Sequence, residues 1–180
     1  MKKIAAIISA CAAAFSLCAA VEKSYDVRIW DNYPIKENAK IWENVPQILK
    51  EAIWIWPAPF PNVDITNSYA LFRAPFELDT VPQKAVFYIT ADQNYRLYVN
   101  GKFICKGPAR GYQKSWPYDE VDIAPYLQKG KNIIAIRAYN AGRDTFGYVS
   151  EGWAGVLYGI DFGNGKKIIS NPNTKCVREE

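Results

Sequence analysis

The residues best suited to chemistry crowd between Asp92 and Asp122. Asp92 and Asn94 fall between two strand-like segments, in a loop at a sheet end where functional side chains concentrate. There they can bind sugar hydroxyls or a calcium ion; equally, both types cap turns with their own side chains. Arg110 sits in Gly107-Pro108-Ala109-Arg110-Gly111, two glycines and a stiff proline that would hold it at a loop tip. Its planar guanidinium matches a carboxylate or vicinal hydroxyls, and Tyr112 and Trp116 supply rings for a stacking face. The competing arrangement is an internal ion pair of Arg110 with Asp92, Asp119 or Asp122. "YDEVD" offers Asp119, Glu120 and Asp122, and a glycosidase needs two carboxyls about 5–10 Å apart. On a strand, Asp119 shares a face with Val121 while Glu120 and Asp122 share the other; any acidic solvent-facing strand gives the same spacing. A longer connection, "AYNAGRDTFGYVSEGWAG", carries Arg143, Asp144, Tyr148, Glu151 and Trp153, which can face a ligand or a neighbouring domain, though Trp153 is better placed to begin the next strand and pack inward. Histidine is absent, which excludes Ser-His-Asp and Cys-His triads and His-based zinc sites.

The elements that must position these groups are almost all strands. "NSYALFRAPFEL" alternates at Tyr69 and Leu71 and, across a break at Pro75, at Phe76 and Leu78. "KAVFYITAD" sets Phe87, Ile89 and Ala91 against Val86, Tyr88 and Thr90. "YRLYVNGKFI" is a hairpin in which Asn100-Gly101 meets the φ > 0 demand of a type I′ turn. "YDEVDI" gives a short strand, Pro125–Leu127 a single turn stopped by Gly130, and Asn132–Tyr139 another strand. "GWAGVLYGIDF" and "KKIIS" form a second hairpin through Gly163-Asn164-Gly165, and "TKCVR" a last strand. Ahead of these, "KIWENVPQILKEA" has the spacing of a short amphipathic helix that Pro46 must start or break. The prolines of "AIWIWPAPFPN" exclude a central strand beyond Trp56. About eight strands with frequent turns predict an all-β fold, an antiparallel sandwich or jelly roll with a short N-terminal helical segment.

At 180 residues the chain favours one domain. Its aromatic share, 14%, suits strands and, equally, carbohydrate stacking. "MKKIAAIISACAAAFSLCAA" has the two lysines, apolar stretch and small-residue end of a secretory signal peptide cleaved after Ala20. An uncleaved anchor and a lipoprotein acylated at Cys11 or Cys18 are the lesser alternatives. The predicted division is a signal peptide over 1–20, an N-terminal extension over 21–53 and the β-sandwich over 54–180, with export to the periplasm or beyond. Without Lys2 and Lys3 the balance is 20 basic to 18 acidic residues, too even to suggest nucleic acid. Beyond the leader nothing suggests a membrane. Cys105 and Cys176 survive cleavage and leave one disulfide open as a question.

"WIW", "YALFRAPFEL", "ITADQNYRLYVNGKFICKGPARGY", "YDEVDIAPYLQKGKNIIAIRAYNAG", "GWAGVLYGIDFGNG" and "KIIS" stand in an order that resembles the N-terminal β-sandwich region of bacterial α-L-rhamnosidase-like proteins, glycoside hydrolase family 78. The resemblance runs from about Trp54 to Arg178. The hairpin alone is shared with β-galactosidase-like enzymes; the ordered set with "GPARG" and "YDEVDI" is more specific. The resemblance implies a galactose-binding-like jelly roll ahead of further β domains and an (α/α)6 barrel. That barrel holds the family's catalytic acids, so none maps onto this chain. It further implies a noncatalytic carbohydrate-associated module, truncated or stand-alone, whose partners are a rhamnose-containing glycan or a catalytic barrel domain. Some related modules bind rhamnose, in some cases with calcium. On this reading Asp92, Asn94, Arg110, Tyr112 and Trp116 are the carbohydrate-binding candidates. The alternatives are a small secreted glycosidase using Asp119, Asp122 or Glu151, and an interaction domain docking to a separately encoded barrel.

Overall fold

The computed structural model of the chain describes residues 27–29, 45–57, 66–110, 117–146 and 154–179. The leader, Tyr112, Trp116, Tyr148, Glu151 and Trp153 lie outside the described residues. Eleven strands occur among the described residues: β1 Val27–Ile29, β2 Ile55–Pro57, β3 Ser68–Leu78, β4 Val86–Ala91, β5 Asn94–Val99, β6 Lys102–Gly107, β7 Asp119–Asp122, β8 Gly130–Asn140, β9 Val156–Asp161, β10 Lys167–Ile169 and β11 Lys175–Glu179. One helix, α1 Gln47–Glu51, and a 3₁₀ turn, Ala124–Tyr126, complete the set. The strands form two antiparallel sheets, β1-β2-β9-β4-β7 with β10 on β9, and β11-β3-β8-β5-β6. The all-β sandwich expected from the alternating pattern is the fold observed.

Alternation builds the core. Phe87, Ile89 and Ala91 from β4 and Val156, Tyr158 and Ile160 from β9 meet Ala70, Phe72, Tyr95, Leu97, Ile134 and Ile136 from the other sheet. Phe87 stacks on Tyr158 with centroids 5.6 Å apart, and Trp56 tilts against Phe72 at 6.0 Å. Burying a side chain of this size contributes about 1.5–3 kcal/mol.

In β3 the buried positions are Ser68, Ala70, Phe72 and Leu78, and Ala74 and Phe76 pack against the same core. They form one unbroken series, and the break expected at Pro75 does not occur. β3 pairs with β8 without a register shift from Ser68↔Asn140 to Leu78↔Gly130, while β11 covers it only from Tyr69 to Arg73. Pro75 therefore stands where one side of β3 is already an edge, and its missing donor breaks no ladder.

The strand count exceeds the expected eight chiefly through β1 and β2, three residues each. β2 includes Pro57, one residue beyond the limit expected at Trp56; there it pairs with β1 alone, since β9 meets β2 only at Ile55↔Val156, so the missing donor breaks no ladder on that side. Pro46 precedes α1 and starts it rather than breaking it. α1 buries Ile48 and Leu49 on Leu157, on the outer side of the first sheet. Gly159 permits that close approach, because a Cβ there would lie 2.6 Å from Ile48. β1 and α1 both come from the segment ahead of Trp54, and both form part of this body.

Cys105 and Cys176 are free thiols. They lie on β6 and β11, the two opposite edges of the second sheet. Four strand spacings separate them by roughly 19 Å, far beyond the about 7 Å Cα limit of a disulfide. Burial pushes the Cys176 thiol up to about 11.

Candidate functional site

Antiparallel pairing decides which residues share an end. Ala91 pairs with Val156, Ile89 with Asp119, Asn94 with Tyr139 and Tyr95 with Gly107. The end of β4, the starts of β5, β7 and β9 and the ends of β6 and β8 therefore gather at one end of the sandwich. The β4–β5 crossover, the 108–118 connection and the 141–155 connection all open from that end. The candidates Asp92, Asn94 and Arg110 belong to it, and the connection holding Tyr112 and Trp116 is rooted there.

Asp92 and Gln93 form the two-residue crossover between the sheets, and both are buried. The Asp92 N–H donates to the Gly155 carbonyl at 3.0 Å. Gln93 accepts the Ala141 N–H at 2.6 Å through Oε1 and donates to the Arg143 carbonyl at 3.3 Å through Nε2. Asn94 is the first residue of β5, half-buried beside Tyr139. Gln93, which lies between Asp92 and Asn94 in the sequence, is not among the candidates. Its role as the tie holding the root of the 141–155 connection depends on a residue 48 positions away, which no local pattern displays.

The 108–118 connection is also tied at its roots. The Tyr95 hydroxyl donates to Asp119 Oδ2, and Thr90 Oγ1 donates to the Pro117 carbonyl at 2.8 Å. Burial, then the bond to Asp119, raises the Tyr95 phenol above its ordinary range. Gly107 passes directly against this pair: a Cβ there would meet Asp119 Oδ2 at 2.0 Å and the Tyr95 hydroxyl at 2.9 Å. The Gly107–Pro108 peptide is cis, Pro108 is buried, and Arg110 is exposed beyond it.

The carboxylates of "YDEVD" separate as alternation predicts. Asp119 turns inward to Tyr95, whereas Glu120 and Asp122 are exposed. Asp122 stands at the other end of β7. Its Oδ1 accepts the N–H groups of Ala124 at 3.0 Å and Ala85 at 3.1 Å, and these bonds hold its carboxyl below the ordinary value. Asp119 and Asp122 therefore do not face each other across a shared space. Among the described residues no group of three or more His, Cys, Asp or Glu is arranged to hold a metal, so the calcium ligation implied by the resemblance has no acidic cradle there. Among the described residues, too, no helix is long and apolar enough to cross a membrane.

No family model matches the chain. A curated relative, a β-galactosidase of Kluyveromyces lactis, is 26% identical over 96 residues, covering 50% of this chain and 9% of that protein. Among solved structures, the GH78 family rhamnosidase of Bacillus sp. GL1 matches at TM-score 0.64 and 30% identity, over 71% of this chain and 13% of that chain. A lectin of Pleurotus ostreatus matches at TM-score 0.54 and 25% identity, over 73% of this chain and 36% of that one. The chain thus spans a small part of the length of each enzyme it matches. The resemblance to α-L-rhamnosidase-like proteins holds in three dimensions, and the sandwich is consistent with the N-terminal domain of such enzymes.

Proposed function

We propose that the chain is a noncatalytic, carbohydrate-associated β-sandwich module of an α-L-rhamnosidase-like glycoside hydrolase. The observation that carries this reading is the shared sandwich: one body matches both a GH78 rhamnosidase and a lectin at TM-scores above 0.5. Fold alone does not assign function, so the finer reading is drawn from the candidate end. There Asn94 and Arg110, with Tyr112 and Trp116, contact a rhamnose-containing glycan, while Asp92 stays buried in the crossover. The guanidinium of Arg110 orients hydroxyls and the rings cover an apolar sugar face. The rest of the sandwich scaffolds a catalytic domain, in the same polypeptide or separately encoded. The engagement of Asp119 by Tyr95 and of Asp122 by backbone N–H groups supports structural roles for both acids. Export through a leader cleaved after Ala20 belongs to the same proposal; mass spectrometry of the exported protein should find Val21 at the N-terminus and not Met1.

Titration calorimetry with L-rhamnose tests the binding claim. Saturable heat at millimolar sugar is expected, measured with and without calcium, and lost in Arg110→Ala at an unchanged melting temperature. No heat and no chemical-shift change at that concentration would leave only the scaffold role. The purified protein should not hydrolyse a nitrophenyl α-L-rhamnoside, whereas turnover abolished by Asp122→Asn would install a glycosidase instead.

A further inference from the structure

The two sheets differ on their outward sides. That of the first sheet is covered by α1. On that of the second sheet no helix packs among the described residues, and its register brings like charges together. Arg137 on β8 pairs with Arg96 on β5, and Arg96 with Lys106 on β6, so three cations stand side by side on consecutive strands. In the next row Lys175 pairs with Arg73. Like charges directly opposite on neighbouring strands destabilise a sheet, and here the arrangement occurs in two rows of one face. The carboxylates on this face among the described residues are Glu179, which bridges Arg137 at 2.6 Å, and Glu77, opposite Lys131 at the far end. Arg96 and Lys106 are exposed.

Aromatic pairs flank the cationic row on both sides. Tyr69 and Tyr139 lie 4.7 Å apart, with the Arg137 guanidinium 4.2 Å over the Tyr69 ring. Tyr98 and Phe103 meet edge-on at 5.6 Å, and Phe103 is 54% exposed. Tyr98 and Arg96 alternate along β5 at about 7 Å, and adjacent strands add about 4.8 Å per cation. The result is a line of positive groups across the strands with apolar ring surface on either side.

We propose that this face binds an anionic glycan, a chain bearing uronate carboxylates that lies across the strands with its acids on Arg137, Arg96 and Lys106 and its sugar faces on the rings. Guanidinium groups match carboxylates in geometry as well as charge. Stacked rings and cations also suit single-stranded nucleic acid; the glycan is favoured because this sandwich matches a rhamnosidase and a lectin. The proposal rests on the carbohydrate-associated reading above and adds a second surface to it, joined to the candidate end at Asn94 beside Tyr139.

The test uses the purified protein with tetragalacturonate, its fully methyl-esterified form and a single-stranded oligonucleotide, measured by calorimetry and by chemical-shift perturbation. The acid form should bind and weaken at least tenfold between 50 and 300 mM NaCl, and the ester should bind at least tenfold more weakly. The double variant Arg96→Glu, Lys106→Glu should lose binding at least tenfold with an unchanged melting temperature and an unchanged response to L-rhamnose; Phe103→Ala should lose about threefold. Equal binding of acid and ester, an oligonucleotide that binds as tightly as the uronate, or an acid glycan indifferent to the double variant would each overturn the proposal. Rhamnose binding without uronate binding removes this face alone. Uronate binding without rhamnose binding removes the end site alone, and silence toward every glycan removes the carbohydrate reading itself.

Discussion

The two ends of the sandwich solve the same problem differently. At one end Asn100, Gln128 and Asn132 brace short turns with their own side chains. Asn100 Nδ2 donates to Asn132 Oδ1 and to the Tyr126 carbonyl, each at 2.9 Å, and Asn100 Oδ1 accepts the Ile133 N–H at 2.9 Å. Asn132 in turn donates to the carbonyls of Gln128 and Gly130 and accepts the Gln128 N–H. At the other end the connections are long, and the bonds described fix their roots: Gln93 to Ala141 and Arg143, Tyr95 to Asp119, Thr90 to Pro117. Side chains used up on turns close a surface, whereas bracing at the root fixes where a loop leaves the sheet. Functional side chains concentrate on loops that a rigid scaffold positions.

The largest expected effect is at the closed end. Asn132 is 4% exposed and makes hydrogen bonds in both directions. Asn132→Ala should cost about 3 kcal/mol, because it strands buried donors and acceptors as well as losing its own bonds. Urea unfolding would measure this, and a cost under about 1 kcal/mol would mean the two ends are not differently built. At the open end Gly107→Ala comes next, at about 2–3 kcal/mol. Its Cβ must displace Asp119 from Tyr95 and leave a buried phenol with only the weak Cys105 thiol contact. Gln93→Ala should cost about 1–2 kcal/mol. More tellingly, it should speed hydrogen exchange at Ala141 and neighbouring amides while leaving those of Asn100 and Ile133 protected.

Much of this fold is written in local patterns. Alternation in "KAVFYITA" and "NIIAIRAYN" and the φ > 0 pair Asn100-Gly101, at 50° and 79°, need only neighbouring residues to be legible. The misplaced break at Pro75 shows the limit: whether a proline interrupts a strand depends on where a partner strand stops, and β11 lies a hundred residues further on. The candidate site was legible as a place more than as a set of contacts. Asp92, Asn94 and Arg110 do share an end, but Gln93, Tyr95 and Gly107, which hold that end together, act on residues far along the chain. The cationic face was hidden for the same reason: Arg96 and Arg137 become neighbours only through register.

Asp122 sharpens the comparison by pH, because it caps the 3₁₀ turn at the closed end while Asp119, on the same strand, serves the open one. The N–H groups of Ala124 and Ala85 stabilise its ionised form, so its carboxyl sits below the ordinary 3.8 in the folded protein. A carboxyl lowered by folding contributes stability that is present above about 3.8 and is lost as pH falls through the lower folded value. Asp122→Ala should therefore cost about 0.5 kcal/mol at pH 7, the low end of a lost cap because the side chain is exposed. Below the folded value that difference should shrink toward the contribution of a neutral acceptor. Paired urea titrations of the two proteins from pH 7 to pH 2 would follow it. A difference that stayed constant across that range would mean the charge on Asp122 contributes nothing, and the turn at the closed end would then rest on Asn100, Gln128 and Asn132.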